Sequence, residues 1–238
     1  MAVAPTLAFP CGRLSMPSRI AILVSGRGSN LQALLDAIDR NRLDAEIVGV
    51  FADKPDAPAL QRVAEELRWA ADARSFPDRP AFDAELANAV AAVAPDWVVC
   101  AGYMRILGDA FIERFRGRLL NIHPSLLPKY RGLRTHQRAL EAGDSEHGAS
   151  VHFVVPELDA GAVIAQSYMA ILPGDTAQTL AQRLLPSEHA LLVAVLDLAA
   201  AGRLAEHEGM AHCDGQALFR PLRLDSAGNL TPPDASSP

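Results

Sequence analysis

Apolar and polar positions along the chain alternate between two periods. Arg19-Ile-Ala-Ile-Leu-Val24 is a short apolar run ending in Ser25-Gly26-Arg27-Gly28, the pattern of a buried parallel strand entering a tight turn. From Ser29 to Arg40 the spacing changes: Leu31, Leu34, Leu35 and Ile38 fall at i, i+3, i+4 and i+7, which predicts a helix with one apolar stripe. Glu46 to Phe51 reads as a second strand, and Pro58 to Arg68, with Leu60, Val63 and Leu67, as a second helix. A third helix is expected from Ala81 to Val93 through Phe82, Leu86, Val90 and Val93, broken by Pro95-Asp96 before the strand Trp97 to Ala101. Asp109 is placed to cap a short helix carrying Phe111, Ile112 and Phe115, and Leu119 to Ile122 follows as another buried strand.

Strands alternating with helices of this length imply right-handed crossovers, hence an α/β fold: an open, mostly parallel twisted sheet with helices on both faces. After His123 the loop is dense in Pro124, Pro128 and Gly132, and a helix is expected near Thr135 to Ala142. Ser150 to Val155 and Ala162 to Ile171 are strand-like, and the short Pro156-Glu-Leu-Asp-Ala-Gly161 between them predicts an antiparallel pair in the C-terminal half. Thr176 is placed to cap a long helix reaching about Ala201, bent or interrupted at Pro186. No internal repeat or second-domain boundary stands out. The expected organisation is an unstructured extension over residues 1–18, one domain over 19–214, and a polar, proline-rich, loosely held tail over 215–238. Because the first strand begins at Arg19, Met16 is an alternative start.

Composition narrows the function. With 238 residues, half of them hydrophobic, the chain can bury a core without metals or disulfides. A net charge of -6, and no basic run interleaved with aromatics, argue against a nucleic-acid partner. The three cysteines, Cys11, Cys100 and Cys213, form no C-x-x-C pair, which points away from a disulfide framework or a zinc site and towards a reducing cytoplasm. No apolar run approaches the roughly 18 residues of a membrane span, and prolines at 5, 10 and 17 interrupt the first eighteen residues, so neither membrane insertion nor export is expected.

Candidate chemistry gathers at strand ends. Gly26-Arg-Gly28-Ser29-Asn30, between a strand and a helix N-terminus, brings free backbone N–H groups and the positive helix end to one point, which suits a phosphate. The dinucleotide pattern G-x-G-x-x-G fails at Leu31, Asp53 lies beyond the usual distance for a ribose acid, and no Gly-Lys-Ser/Thr follows, so a monophosphate is favoured over NAD or a P-loop nucleotide. The same glycines would equally serve a plain tight turn.

Asn121 and His123 are two apart at the carboxyl end of a strand, so both side chains face one side, and Pro124 then ends the strand. An amide donor beside an imidazolium is suited to holding an oxyanion, although a lone histidine is more often structural. Asp159, in the turn of the strand pair, is a candidate to sustain that imidazolium and order a water. A turn aspartate bonding its own backbone is the commoner case. His147 and His152 lack zinc-protease spacing and read as ordinary surface or core histidines; no metal site is indicated. Ser25, Ser29 and Ser125 sit in no G-x-S-x-G elbow.

Asn121-Ile-His-Pro-Ser-Leu-Leu-Pro-Lys-Tyr-Arg-Gly-Leu133, Leu158-Asp-Ala-Gly161 and Ile22-Leu-Val-Ser-Gly-Arg-Gly-Ser-Asn-Leu-Gln32 together resemble the phosphoribosylglycinamide formyltransferases, a folate-dependent family, from about Arg19 to Asp214. The first two motifs are shared with methionyl-tRNA formyltransferases and formyltetrahydrofolate deformylases; the glycine loop narrows the choice. The resemblance implies a Rossmann-like formyltransferase fold and transfer of a formyl group from 10-formyltetrahydrofolate to glycinamide ribonucleotide in purine biosynthesis, without a metal. A homodimer is compatible with it. It implies that Asn121, His123 and Asp159 are catalytic, that Gly28, Ser29 and Asn30 hold the phosphate, and that Glu188 lies near the ribose. Folate contacts fall on Arg79, on Met104, Arg105, Ile106 and Leu107, and on Val155, Pro156, Glu157 and Leu158. Arg131, Arg134 and Pro186 depart from the family residues expected there. Chain length disfavours the deformylase, which carries an N-terminal regulatory domain, and the tRNA enzyme, which carries a C-terminal one; a non-catalytic nucleotide-binding module is the remaining alternative.

Overall fold

A computed structural model describes residues 16–233. In chain order the elements are β1 (Ser18–Val24), α1 (Ser29–Asp39), β2 (Ala45–Ala52), β3 (Arg68–Ala70), α2 (Arg79–Ala92), β4 (Trp97–Cys100), α3 (Asp109–Arg114), β5 (Leu119–His123) and α4 (Thr135–Glu141). Then follow β6 (Glu146–Phe153), β7 (Val163–Ala170), α5 (Ala177–Ala200), β8 (Leu204–His207), β9 (Met210–Cys213), β10 (Gln216–Ala217), β11 (Leu222–Leu224) and β12 (Leu230–Thr231). Nine strands form one sheet in the order β12-β11-β7-β6-β5-β4-β1-β2-β3. The half from β3 to β5 is parallel, whereas β6 runs antiparallel to both β5 and β7.

Strand alternation divides the core between the two faces. Ile20, Ile22 and Val24 point to the side covered by α1 and α5, where Leu31, Leu34, Leu191 and Leu192 are fully buried; Ala21 and Leu23 point to the side of α2 and α3, against Phe82, Leu86, Phe111 and Phe115. Chain order reverses between β1 and β4, so their carboxyl ends open the crevice where sheets of this kind take ligands.

α5 runs through Pro186 without ending, although an interior proline costs about 3 kcal/mol. Leu184, Leu191, Leu192, Val195 and Leu196 are all fully buried on this helix, and at roughly 1.5–3 kcal/mol each their burial outweighs the defect. Thr176 caps the helix as expected, in a reciprocal pair with Thr179.

Three expectations are corrected. Pro58–Arg62 and Glu65–Leu67 are separate 3-10 turns, not one helix. Val63 between them is extended, and the Arg68 guanidinium occupies its carbonyl at 2.6 and 2.9 Å. Asp109 is the first residue of α3 rather than its cap; Gly108 holds that place, with its N–H donated to buried Asp83 at 2.9 Å. The stretch from Gly215, expected to be loosely held, forms β10 to β12. There β11 pairs with β7, Leu222 is buried, and Asp225 closes the β11-β12 turn by accepting from Ala227 and Asn229. Strands of two or three residues carry too little alternation to announce themselves. The expectation for residues 1–18 falls, up to residue 15, outside the described residues.

Candidate active site

A cavity of about 590 Å³ opens at the carboxyl ends of β4 and β5, within the size range of small-molecule sites. Its walls come from four segments distant in sequence: Asn30 at the start of α1, Gly102 to Leu107 after β4, Asn121 to Pro124 at the end of β5, and the loop from Val154 to Asp159. Glu188 from α5, Gly132 to His136, and Cys100, Ile112 and His152 line it too. A second concavity, about 660 Å³, lies between α1, α5 and the C-terminal strands; none of the candidate residues lines it.

Asn121 and His123 share the face of Leu119, as the period of two requires. His123 is buried; its Nε2 donates to the carbonyl of Tyr130 at 3.0 Å, and its Nδ1 lies 3.4 Å from Asp159 Oδ2. Asp159 sits in a left-handed backbone conformation, φ 48°, and accepts from the N–H of Gly132 at 2.8 Å, so its partner is a tertiary one rather than its own turn. Arg134 in the cavity lining and Tyr130, whose carbonyl meets His123, are both at φ 58°, and strain of this kind concentrates at functional sites.

His152 joins this group although its spacing marked it as ordinary. β6 pairs with β5 so that His152 stands opposite Asn121, and the Asn121 amide lies 3.1 Å from His152 Nε2. Burial holds His152 well below its ordinary pKa, and its Nδ1 donates to the Phe153 carbonyl at 2.8 Å. The ring is therefore neutral with Nε2 as acceptor, which turns one Asn121 N–H towards His152 and leaves the other for the cavity. β6 also carries Glu146, His147 and Ser150, so a histidine there did not stand out in the sequence.

Gly28 caps α1 at φ 71° with no side-chain hydrogen bond, and no acid occupies the first turn, so the positive helix end is uncompensated. A Cβ at Gly28 would lie 2.6 Å from that of Ala59, which excludes larger residues there. Asn30 is buried, and its Oδ1 has no hydrogen-bond partner among the described residues. Glu188 is 8 % exposed, and burial alone pushes its carboxyl up to about 7. Such lone buried groups carry a cost that a bound ligand relieves.

Met104, Arg105, Ile106, Leu107, Val155, Pro156 and Leu158 all line the cavity; Met104 and Ile106 stay largely exposed at its mouth. Arg105 stacks on Phe82 at 5.1 Å, and its buried Nε has no hydrogen-bond partner among the described residues. Glu157 stands outside the lining and pairs with Arg131 at 2.6 Å, tying the two flanking loops. Arg79 is not brought to the cavity: it opens α2, half-exposed, 3.4 Å from Asp83. Gly28 and Ser29 adjoin the lining through Asn30.

The formyl transferase family model matches residues 18–196. The chain is 48% identical over 201 residues to phosphoribosylglycinamide formyltransferase of Escherichia coli (strain K12), covering 84% of this chain and 95% of that one. It is 44% identical over 196 residues to the trifunctional purine biosynthetic protein adenosine-3 of Drosophila pseudoobscura pseudoobscura, covering 80% of this chain and 14% of that protein. Among solved structures, the phosphoribosylglycinamide formyltransferase of Coxiella burnetii superposes with a TM-score of 0.81 at 44% identity, over 84% of this chain and 95% of that one.

Proposed function

The chain belongs to the formyl transferase family, and from that premise we propose that it transfers the formyl group of 10-formyltetrahydrofolate to the amine of glycinamide ribonucleotide, a step of purine biosynthesis. The observation that carries the reading is the meeting of Asn121, His123 and Asp159 on one wall of a cavity that also receives Asn30 and Glu188. A phosphate at the α1 N-terminus, where Gly28 offers no capping side chain, is favoured by the helix dipole, and ribose hydroxyls beside Glu188 would donate to its carboxylate. The apolar side chains of Met104, Ile106, Leu107, Val155, Pro156 and Leu158 supply walls for a flat ring system.

In the reaction the substrate amine attacks the formyl carbon, forming a C–N bond and a tetrahedral oxyanion. The free Asn121 N–H and protonated His123 stabilise that oxyanion. Nε2 of His123 is committed to Tyr130, so the looser Nδ1 contact is the one that yields to the oxyanion. Asp159, through a water, takes the proton from the attacking nitrogen and returns it to the folate nitrogen as the old C–N bond breaks. No covalent enzyme intermediate is needed, because one cavity holds both reactants. The reaction runs in the cytoplasm, where these soluble substrates meet.

The test supplies purified protein and 10-formyltetrahydrofolate with glycinamide ribonucleotide, with initiator methionyl-tRNA, or with water alone. Formylated glycinamide ribonucleotide is the expected product. Formate release in water at an equal rate would replace the reading with a deformylase, and ligand binding without turnover would replace it with a nucleotide-binding module.

A further inference from the structure

Beneath the loop that carries Tyr130 lies a buried polar network that the reaction itself does not use. Ser150 is fully buried in β6, and its hydroxyl donates to the Ser125 carbonyl at 2.7 Å while accepting from Leu127 N at 3.0 Å and Gln166 Nε2 at 2.9 Å. Gln166, buried in β7, spends its second amide hydrogen on the Leu127 carbonyl at 2.9 Å, and its Oε1 accepts from the Tyr168 hydroxyl at 2.8 Å. One donor and two acceptor sites of the serine are filled, as are both donors of the glutamine. At the outer end the Arg223 guanidinium lies 4.3 Å from the centre of the Tyr168 ring, on the strand whose register sets Arg223 beside Gln166.

The network reaches the catalytic histidine through few bonds. Ser125 Oγ donates to the Lys129 carbonyl at 2.6 Å, and the next residue, Tyr130, offers the carbonyl that holds His123 Nε2. We propose that Gln166 is a positioning residue: with Ser150 it fixes the loop from Ser125 to Tyr130, so that the Tyr130 carbonyl sets the ring orientation of His123 and holds its Nε2 proton. Satisfied buried networks polarise and stiffen one another, and an orienting partner of this kind tunes an imidazole without touching substrate. The kinetic arm of the inference rests on the formyl-transfer reading; the spectroscopic arm does not.

The experiment combines ring-nitrogen NMR of histidine-labelled protein with steady-state kinetics, per mole of folded protein. Wild type shows a His123 Nε2 proton protected from solvent, identified by its loss in His123→Gln. Gln166→Leu loses that protection and lowers kcat about tenfold while KM for both substrates stays within about twofold. Tyr168→Phe, which removes one partly exposed hydroxyl, loses a smaller part, about two- to threefold in kcat. Ser150→Ala combined with Gln166→Leu falls no further than the worse single variant, because both act through one network. A protected Nε2 proton and unchanged kcat in Gln166→Leu overturn the proposal; should that variant not fold, the same pair of results in Tyr168→Phe overturns it. Wild type that makes no product defeats the activity reading, while the ring proton still decides the positioning.

Discussion

Glu188 shows how one residue links burial to pH. Burial raises its carboxyl to about 7, so between about pH 4.5 and 7 the folded protein holds a proton that the unfolded chain has released, and the stability withheld by this group grows as pH rises through that window. Glu188→Gln is therefore expected to melt at a higher temperature than wild type above pH 7 and at the same temperature below pH 4.5. Binding has the opposite sign: ribose hydroxyls favour the carboxylate, so KM for glycinamide ribonucleotide falls as pH rises towards about 7 and then levels. A KM that ignores pH, or a pH dependence that survives Glu188→Gln, removes Glu188 from the ribose. In the same cavity, His123→Ala and Asp159→Ala are expected to lower kcat, per mole of folded protein, by about 10²–10⁴-fold; near-normal turnover would remove either from the reaction.

Among the elements, β11 separates a packed strand from a loose tail. Leu222 is buried against the main core, and truncating a buried leucine costs about 2 kcal/mol or more. Leu222→Ala should lower the unfolding free energy measured by denaturant titration by that amount, whereas a loosely held tail would show no change. At the other end of α5's span, Thr176→Ala removes the reciprocal cap and should cost about 1 kcal/mol. The loops after β5 and β6 are tied by Arg131 and Glu157, 40% and 74% exposed; a pair so open to water adds little, and the bond from Gly132 to Asp159 is the stronger registration of the two loops.

For the molecule as a whole, the site is split among segments spread from Asn30 to Glu188, so ligand binding and global stability are coupled. Glycinamide ribonucleotide at 100 times its Kd is expected to add about 2.7 kcal/mol, a rise in melting temperature of roughly 5–10 °C for a domain of this size; no rise at saturating ligand would mean that the folded state does not bind it. The amino-acid sequence by itself determined the alternation of strands and helices, the face shared by Asn121 and His123, the turn at Gly28 and the cap at Thr176, because each depends on residues close in the chain. It misread 58–67 as one helix, since apolar spacing does not reveal that Val63 is extended with its carbonyl claimed by Arg68. Only the tertiary structure decided that His152 faces Asn121, that Asp159 meets His123 and Gly132, that Arg79 turns to Asp83, and that the C-terminal strands extend the sheet. Periodicity tells which way a side chain points; what it meets there is fixed by strand order and loop path, which bring together residues far apart in the chain.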